Sequence, residues 1–393
     1  MIRQKTTGPH RSAHKSWMIT TIVALAVTLL AACAPNLAPR GPGDSAPMLS
    51  DSSFTTSDGL DLPLRYWLPP SAAQAAAADA DADADADKEP EVSEADIKAV
   101  VLALHGFNDY SNAFDGPGKV LASMGLAVYA YDQRGFGEAP HRGLWAGSDV
   151  LTGDLADASH ALRQRHPGKP LYLLGESMGG AVILAAYNST TPPDADGVIL
   201  SAPAVWARST MPWYQRTALW LGARAIPWAR LTGSGLKIQA SDNIEMLRGL
   251  GRDPLVIKGT RVDAIHGLVN LMDDALSAAP LLDRPALLLY GDKDEIVPRE
   301  PTLQLWAMLP AARRSDQRLA LYSNGWHMLL RDLDAGIVLA DIAQWTEDQT
   351  RAAGSSHPLP SGADRLAREA LESYQAPLAD TAGNTDAPLP ADS

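Results

Sequence analysis

Six short, almost wholly apolar runs, set apart by helix-like stretches, constrain this chain more than any other feature. They are Ile97 to Leu104, Leu126 to Tyr131, Leu171 to Leu174, Val198 to Leu200, Ala286 to Tyr290 and Leu319 to Tyr322. A strand that is apolar throughout is buried on both faces, the habit of parallel strands. Between the runs, Asp154 to Arg165, Met178 to Tyr187 and Pro301 to Met308 read as helices, and Asp334 to Gln349 as a last one. Alternating strands and helices predict an α/β fold, with a mostly parallel central sheet covered by helices on both faces. Upstream, Phe54 to Thr56 and Leu60 to Leu68 read as two strands around a tight Asp58-Gly59 turn.

The charge balance limits the partners. Against 33 basic residues stand 46 acidic ones, a net charge of −13. Such a surface repels phosphate backbones, so no nucleic-acid partner is expected. A single cysteine in the chain excludes an intrachain disulfide, a cysteine zinc cluster and a CxxC redox centre. Nothing in the sequence calls for a metal or an organic cofactor.

That cysteine has a telling position. The first 32 residues hold Arg3, Lys5, Arg11 and Lys15 and no acidic residue. Trp17 to Ala32 is then almost wholly apolar for 16 residues, shorter than a membrane-spanning helix needs and suited to a secretory signal. The run closes on Leu30-Ala31-Ala32-Cys33, which resembles the lipobox of bacterial lipoproteins. The resemblance implies a leader cut before Cys33, an acylated thiol and an acylated new N-terminus. More than one acyl chain is what stable anchoring takes. The alternative is an uncleaved signal anchor in which Cys33 is incidental. Ala34 is not acidic, which by enterobacterial sorting habit points to the outer membrane.

Composition then divides the rest. Residues 33–50, rich in Pro, Gly and Ala, read as a flexible tether. The globular domain is expected over 51–350, interrupted at about 71–96 by an acidic low-complexity loop ending in Ala-Asp pairs. That loop reads as disordered, since its like charges repel. A calcium site there would need a glycine turn and a bidentate Glu at ligand spacing, and neither is present. Residues 351–393 read as a mostly disordered tail with one short helix from Ala363 to Tyr374.

The chemistry gathers at strand ends. Leu171 to Leu174 runs into Gly175-Glu176-Ser177-Met178-Gly179-Gly180, a G-x-S-x-G string. The string alone is weak, but an apolar strand before it and a small-residue helix after it form a nucleophile elbow, which exposes the Ser177 hydroxyl. A serine in a structural turn is the bland reading. Serine needs a base and an orienting acid, and with this motif they follow in the order Ser, acid, His. Gly291-Asp292-Lys293-Asp294 follows one strand, and Trp326-His327 follows the last. Within the fold only His327 comes after the acid loop. A further strand ends in His105-Gly106-Phe107. The backbone N–H groups of Phe107 and Met178 are therefore assigned to an oxyanion hole. His105 is read as a structural hydrogen-bonder, with a role as base the alternative.

Taken together, these motifs resemble the α/β-hydrolases, and within them the monoacylglycerol lipase and lysophospholipase group, often labelled serine-aminopeptidase-like. Tyr131-Asp132-Gln133-Arg134-Gly135-Phe136-Gly137 belongs to the same set, and the likeness covers roughly Ser52 to Asp348. It implies an α/β-hydrolase fold with a helical cap inserted after the sixth strand, at about 203–279. It also puts the acid at Asp294, the Asp of G-x-x-D, with Asp292 as runner-up. The cap carries Trp206, Met211, Trp213, Tyr214, Trp220, Leu221, Ile226 and Trp228. These either pack it onto the core or line an acyl tunnel and a membrane-facing lid.

The expectation is a membrane-anchored serine hydrolase that cleaves carboxylic esters of single-chain lipids through an acyl-enzyme. A small-ester carboxylesterase or thioesterase, cleavage of peptides with a free N-terminus, and a non-catalytic lipoprotein are the alternatives. The oligomeric state is not legible.

Overall fold

The computed structural model describes residues 35–71, 94–233, 235, 238–351 and 357–371. The leader, Cys33, the Ala-Asp repeats of the acidic loop and the end of the tail lie outside them.

Nine strands make the central sheet: β1 (Met48–Leu49), β2 (Ser53–Thr55), β3 (Asp61–Trp67), β4 (Ala99–Leu104), β5 (Leu126–Tyr131), β6 (Leu171–Glu176), β7 (Gly197–Ser201), β10 (Ala286–Gly291) and β11 (Gln317–Tyr322). Their order is β1-β2-β3-β5-β4-β6-β7-β10-β11. The first three run antiparallel, and β3 pairs antiparallel with β5. From β5 to β11 every pairing is parallel. Strand order reverses at β4, which lies between β5 and β6, and ligands of open α/β sheets bind at such a switch point.

Burial explains why the strands lack polar alternation. All six residues of β4 are buried, with Val100, Leu102 and Leu104 in one apolar cluster and Ala99, Val101 and Ala103 in the other. The first cluster is completed by α2 (Ser148–Arg165), α3 (Met178–Ala186) and α6 (Val262–Ala278), the second by α1 (Asp115–Ser123) and α8 (Ala335–Thr350). Helix α7 (Arg299–Met308) links β10 to the turn before β11.

The cap is smaller than the sequence implies. It follows Ser201, the end of the strand read as sixth, which the short strand 48–49 makes seventh. It holds α4 (Trp213–Ala225), α5 (Ile244–Arg252) and a two-stranded ribbon, β8 (Arg230–Thr232) with β9 (Gly259–Arg261). It ends there and not near 279, because α6 buries Val269, Leu271, Ala275 and Leu276 in the core.

Two segments read as flexible are instead fastened. Along the expected tether, Asn36 N donates to Asp263 (3.2 Å), Ala38 N to Trp145 O (2.8 Å) and Gly41 N to Asp58 (2.7 Å). Met48–Leu49 then joins the sheet. In the tail, residues 357–371 dock on α8: Leu359 and Ala363 are buried, and Ser361 N donates to Asp341 (3.0 Å). Composition hid both, because a few anchoring residues outweigh many small ones.

Candidate active site

The elbow is strained where the chemistry requires it. Ser177 links β6 to α3 with φ 52° and ψ −112°, a backbone shape an L-residue adopts only at a cost of about 1–3 kcal/mol. Its carbonyl accepts from Ala204 N at 2.9 Å, and its own N–H donates to Ser201 O at 2.9 Å. The glycines are obligatory. A Cβ on Gly179 would sit 2.1 Å from Leu104 O, and one on Gly175 would sit 2.4 Å from Gly180 N. Strand and helix thus press together tightly enough to lift the serine out of the turn.

The loop after β4 closes over the elbow, since a Cβ on Gly106 would lie 3.4 Å from Ser177 Cβ. Among the described residues the backbone N–H of neither Phe107 nor Met178 donates to a protein acceptor. Two unengaged donors beside the half-buried Ser177 suit a developing oxyanion. Phe107 is held edge-on by Phe136 and Trp145, with ring centroids 5.7 and 6.3 Å away.

The loops that carry Asp294 and His327 are zipped together at the ends of β10 and β11. Asp292 N donates to Tyr322 O (3.0 Å) and Lys293 N to Gly325 O (2.9 Å). This sets His327 Nδ1 2.8 Å from Asp294 Oδ2, with both side chains buried. The other oxygen of Asp294 accepts from Ile296 N (2.8 Å) and Val297 N (2.9 Å). A carboxylate fixed in this way selects the Nδ1–H tautomer and leaves Nε2 free to accept a proton. Asp292 instead turns outward to Arg299, at 3.5 Å, so of the two aspartates Asp294 is the one on the histidine. Among the described residues no hydrogen bond joins Ser177 Oγ to His327. Such bonds commonly tighten only with substrate in place.

His105 is held in a structural role. Gln133 N donates to its Nε2 (3.0 Å), and Nδ1 donates to Gly106 O (2.9 Å). Both ring nitrogens are thereby occupied, and burial pushes its pKa down, so the ring is neutral. It fixes the His105–Phe107 loop and has no nitrogen to spare as a base.

Sequence reasoning missed the buried ionic frame behind these loops. Arg331 reaches Asp109 (2.8 Å) in the loop after β4 and both oxygens of Glu176 (3.2 Å) just before Ser177. All three side chains are nearly inaccessible. One guanidinium therefore ties the oxyanion loop, the elbow and the histidine loop. The neighbouring Asp332 accepts from Trp326 N (2.7 Å) and from Ser241 Oγ (2.5 Å) of the cap. Burial pushes its carboxyl up to about 6, against those hydrogen bonds. A similar clamp joins Arg134 to Asp154 (2.7 Å) and Asp58 (2.6 Å), securing the Asp132–Gly137 loop to the hairpin turn. The signal was present in the sequence as charges embedded in apolar motifs, but their partners lie far along the chain.

The cap aromatics divide between packing and exposure, and the outward ones fit a lid face better than core packing or a tunnel wall. Trp206 and Met211 are half-buried, whereas Trp213, Tyr214, Trp220, Leu221, Ile226 and Trp228 face outward. Two surface grooves, of about 570 and 560 Å³, are lined by neither Ser177 nor His327. Among the described residues no three His, Cys, Asp or Glu side chains gather as a metal site requires.

A family model described as serine aminopeptidase, S33, matches residues 95–334, more than half of the chain, with Ser177, Asp294 and His327 inside the match. The chain belongs to this family. It is a serine hydrolase with the α/β-hydrolase fold. Human monoglyceride lipase is 25% identical over 331 residues, covering 81% of this chain and 98% of the relative. Monoacylglycerol lipase of Mycolicibacterium smegmatis is 27% identical over 263 residues, covering 64% and 89%. Among solved structures, a soluble variant of monoglyceride lipase from Saccharomyces cerevisiae matches with TM-score 0.59 and 20% identity, over 80% of this chain and 100% of that one. At that identity it speaks for the fold alone.

Proposed function

We propose that this serine hydrolase is a lipid-anchored enzyme that cleaves carboxylic esters of single-chain lipids, monoacylglycerols foremost, with Ser177, His327 and Asp294 as its triad. The observation that carries the reading is the 2.8 Å His327–Asp294 pair on the sheet edge that also bears the strained Ser177 elbow. In the proposed cycle Ser177 Oγ attacks the ester carbonyl while His327 Nε2 takes its proton. The tetrahedral oxyanion accepts hydrogen bonds from the N–H groups of Phe107 and Met178. Collapse breaks the ester C–O bond, and His327 returns the proton to the departing glycerol oxygen. Water, deprotonated by His327, then attacks the acyl-enzyme, and fatty acid leaves with Ser177 restored.

The lipid preference is supported by the relatives' names and by a leader ending at Cys33 that suits a lipoprotein, for which an outer-membrane address is proposed. Neutral head groups fit the acidic surface better than anionic ones. The test is kcat/KM across monoacylglycerols of rising chain length, beside short nitrophenyl esters, an aminoacyl amide and a triacylglycerol. Burial of each methylene contributes about 0.8 kcal/mol, so rises of up to about fourfold per carbon are expected through the medium-chain range. Activity on triacylglycerol should be far lower. Flat or falling values from acetyl to dodecanoyl esters would promote a small-ester carboxylesterase in its place.

A further inference from the structure

The loop carrying Phe107 is shaped by the residue that follows it. Gly106 to Asp109 makes a tight turn, closed by Asp109 N donating to Gly106 O across a long 3.3 Å. Asn108 is the third residue of that turn, with φ 68°, a region that Gly enters freely and Asn tolerates better than most. Its anchors come from the cap. The Asn108 carbonyl accepts from Ile257 N at 2.9 Å, and its side-chain amide donates to Thr260 Oγ1 of β9 at 2.8 Å. Thr260 is buried, so this bond is shielded from water. Two residues further on, Tyr110 OH donates to Asp253 at 2.7 Å.

The same stretch of cap is seated at its other end on the histidine loop. Met328 N donates to Ala240 O (3.0 Å), and Ser241 Oγ donates to Asp332 (2.5 Å). Leu333 N donates to Asp242 (2.9 Å), and Asn243 Nδ2 to Arg331 O (3.1 Å). Residues 240–260 thus rise beside His327 and come down on Asn108, with α5 between. Helix α5 buries none of its residues, so the span is held by the bonds at its two ends. It ties the oxyanion loop to the histidine loop by a path that does not pass through Ser177.

We infer that Asn108 is a positioning residue: its bond to Thr260 aims the Phe107 N–H at the oxyanion, and cap residues 240–260 keep that aim in register with His327. This deepens the proposed mechanism and rests on the assignment of Phe107 to the oxyanion hole. Hydrogen bonding to a developing oxyanion depends steeply on direction. A donor that drifts therefore loses transition-state stabilisation while binding of the ground-state ester is kept.

The test compares the full chain with Asn108→Gly, Thr260→Val, the double variant and Thr260→Ser. Glycine adopts a positive φ without strain, so Asn108→Gly removes the amide and leaves the turn. Valine removes the Thr260 hydroxyl at nearly constant volume, and serine keeps it. The readouts are kcat and KM on a medium-chain monoacylglycerol, the melting temperature, and the Ki of an alkyl trifluoromethyl ketone. Ser177 Oγ adds to the ketone carbonyl, its proton passes to His327, and the hemiketal oxyanion occupies the hole. Deleting an oxyanion donor costs about 10²–10³ in kcat, so misaiming one should cost roughly tenfold. Asn108→Gly and Thr260→Val should each lose about that much in kcat and weaken the ketone by a similar factor, with KM within about twofold. The double variant should be no worse than either single, because both break one bond, and Thr260→Ser should match wild type. A purely structural role would lower the melting temperature and leave kcat per active Ser177 and the Ki unchanged; that result would overturn the inference. So would losses that multiply in the double variant, or a loss in Asn108→Gly that Thr260→Val does not share. An active wild type with variants equal to it removes this inference alone. A wild type neither inhibited by the ketone nor labelled at Ser177 removes the catalytic reading and this inference with it.

Discussion

Replacing Arg331 by Met removes the cation that pairs with Glu176 and Asp109, whose side chains are 2% and 8% exposed. Two carboxylates would be left buried, with the 2.8 Å ion pair to Asp109 and the 3.2 Å hydrogen bonds to Glu176 gone. Breaking such a pair by deleting one partner costs about 3–5 kcal/mol. At roughly 2 °C per kcal/mol for a large domain, the melting temperature should fall by about 6–10 °C. Because Glu176 precedes Ser177 and Asp109 follows the oxyanion loop, the fluorophosphonate labelling rate should fall as well. The assay is thermal and urea unfolding of Arg331→Met, Glu176→Gln and the double variant, with labelling rates alongside. The double variant should recover part of the stability that Arg331→Met loses, since one stranded charge is gone. A loss under about 1 kcal/mol in Arg331→Met would refute the reasoning, as would a double variant no better than the single.

Three further outcomes can be measured alongside. Asp294→Asn should fold normally and lose up to about 10⁴-fold in kcat, whereas Asp292→Asn should stay close to wild type; the reverse ranking would show that the acid is misassigned. Burial keeps His105 neutral, its pKa below the usual 6.5, while the unfolded chain binds that proton near pH 6.5. Its contribution is thus complete above that pH and lost below it. The stability advantage of wild type over His105→Asn, measured by urea unfolding, should narrow as pH falls through about 6.5, and an advantage that widens contradicts it. Cys33→Ser should abolish incorporation of an alkyne fatty acid in growing cells, and label retained by that variant would remove the lipoprotein reading.

What the sequence revealed and what it hid divide along physical lines. The parallel strands were legible because burial on both faces leaves no room for polar residues, as in Ala99–Leu104. The elbow was legible because close approach demands glycine at 175 and 179. Asp294 was distinguishable from Asp292 only through resemblance. In the structure the turn that lets Asp294 accept from Ile296 N and Val297 N also points Asp292 at Arg299. The Arg331 frame was illegible, because 155 positions separate Arg331 from Glu176 and a local pattern carries no record of such a pairing. The strap at 36–41 was hidden for a related reason. Its hold comes from single backbone bonds to Asp263, Trp145 and Asp58, which leave no periodicity. The cap tryptophans were legible only in kind, since aromatic content is the same in core packing, in a tunnel wall and on an exposed lid face.

The most direct test of the central claim is turnover of a medium-chain monoacylglycerol by wild type and Ser177→Ala, paired with peptide mapping of the fluorophosphonate adduct. The account predicts an adduct on Ser177 alone, and a Ser177→Ala variant that folds, stays unlabelled and loses several orders of magnitude in kcat. An adduct on another residue, or monoacylglycerol turnover that survives in Ser177→Ala, would contradict it.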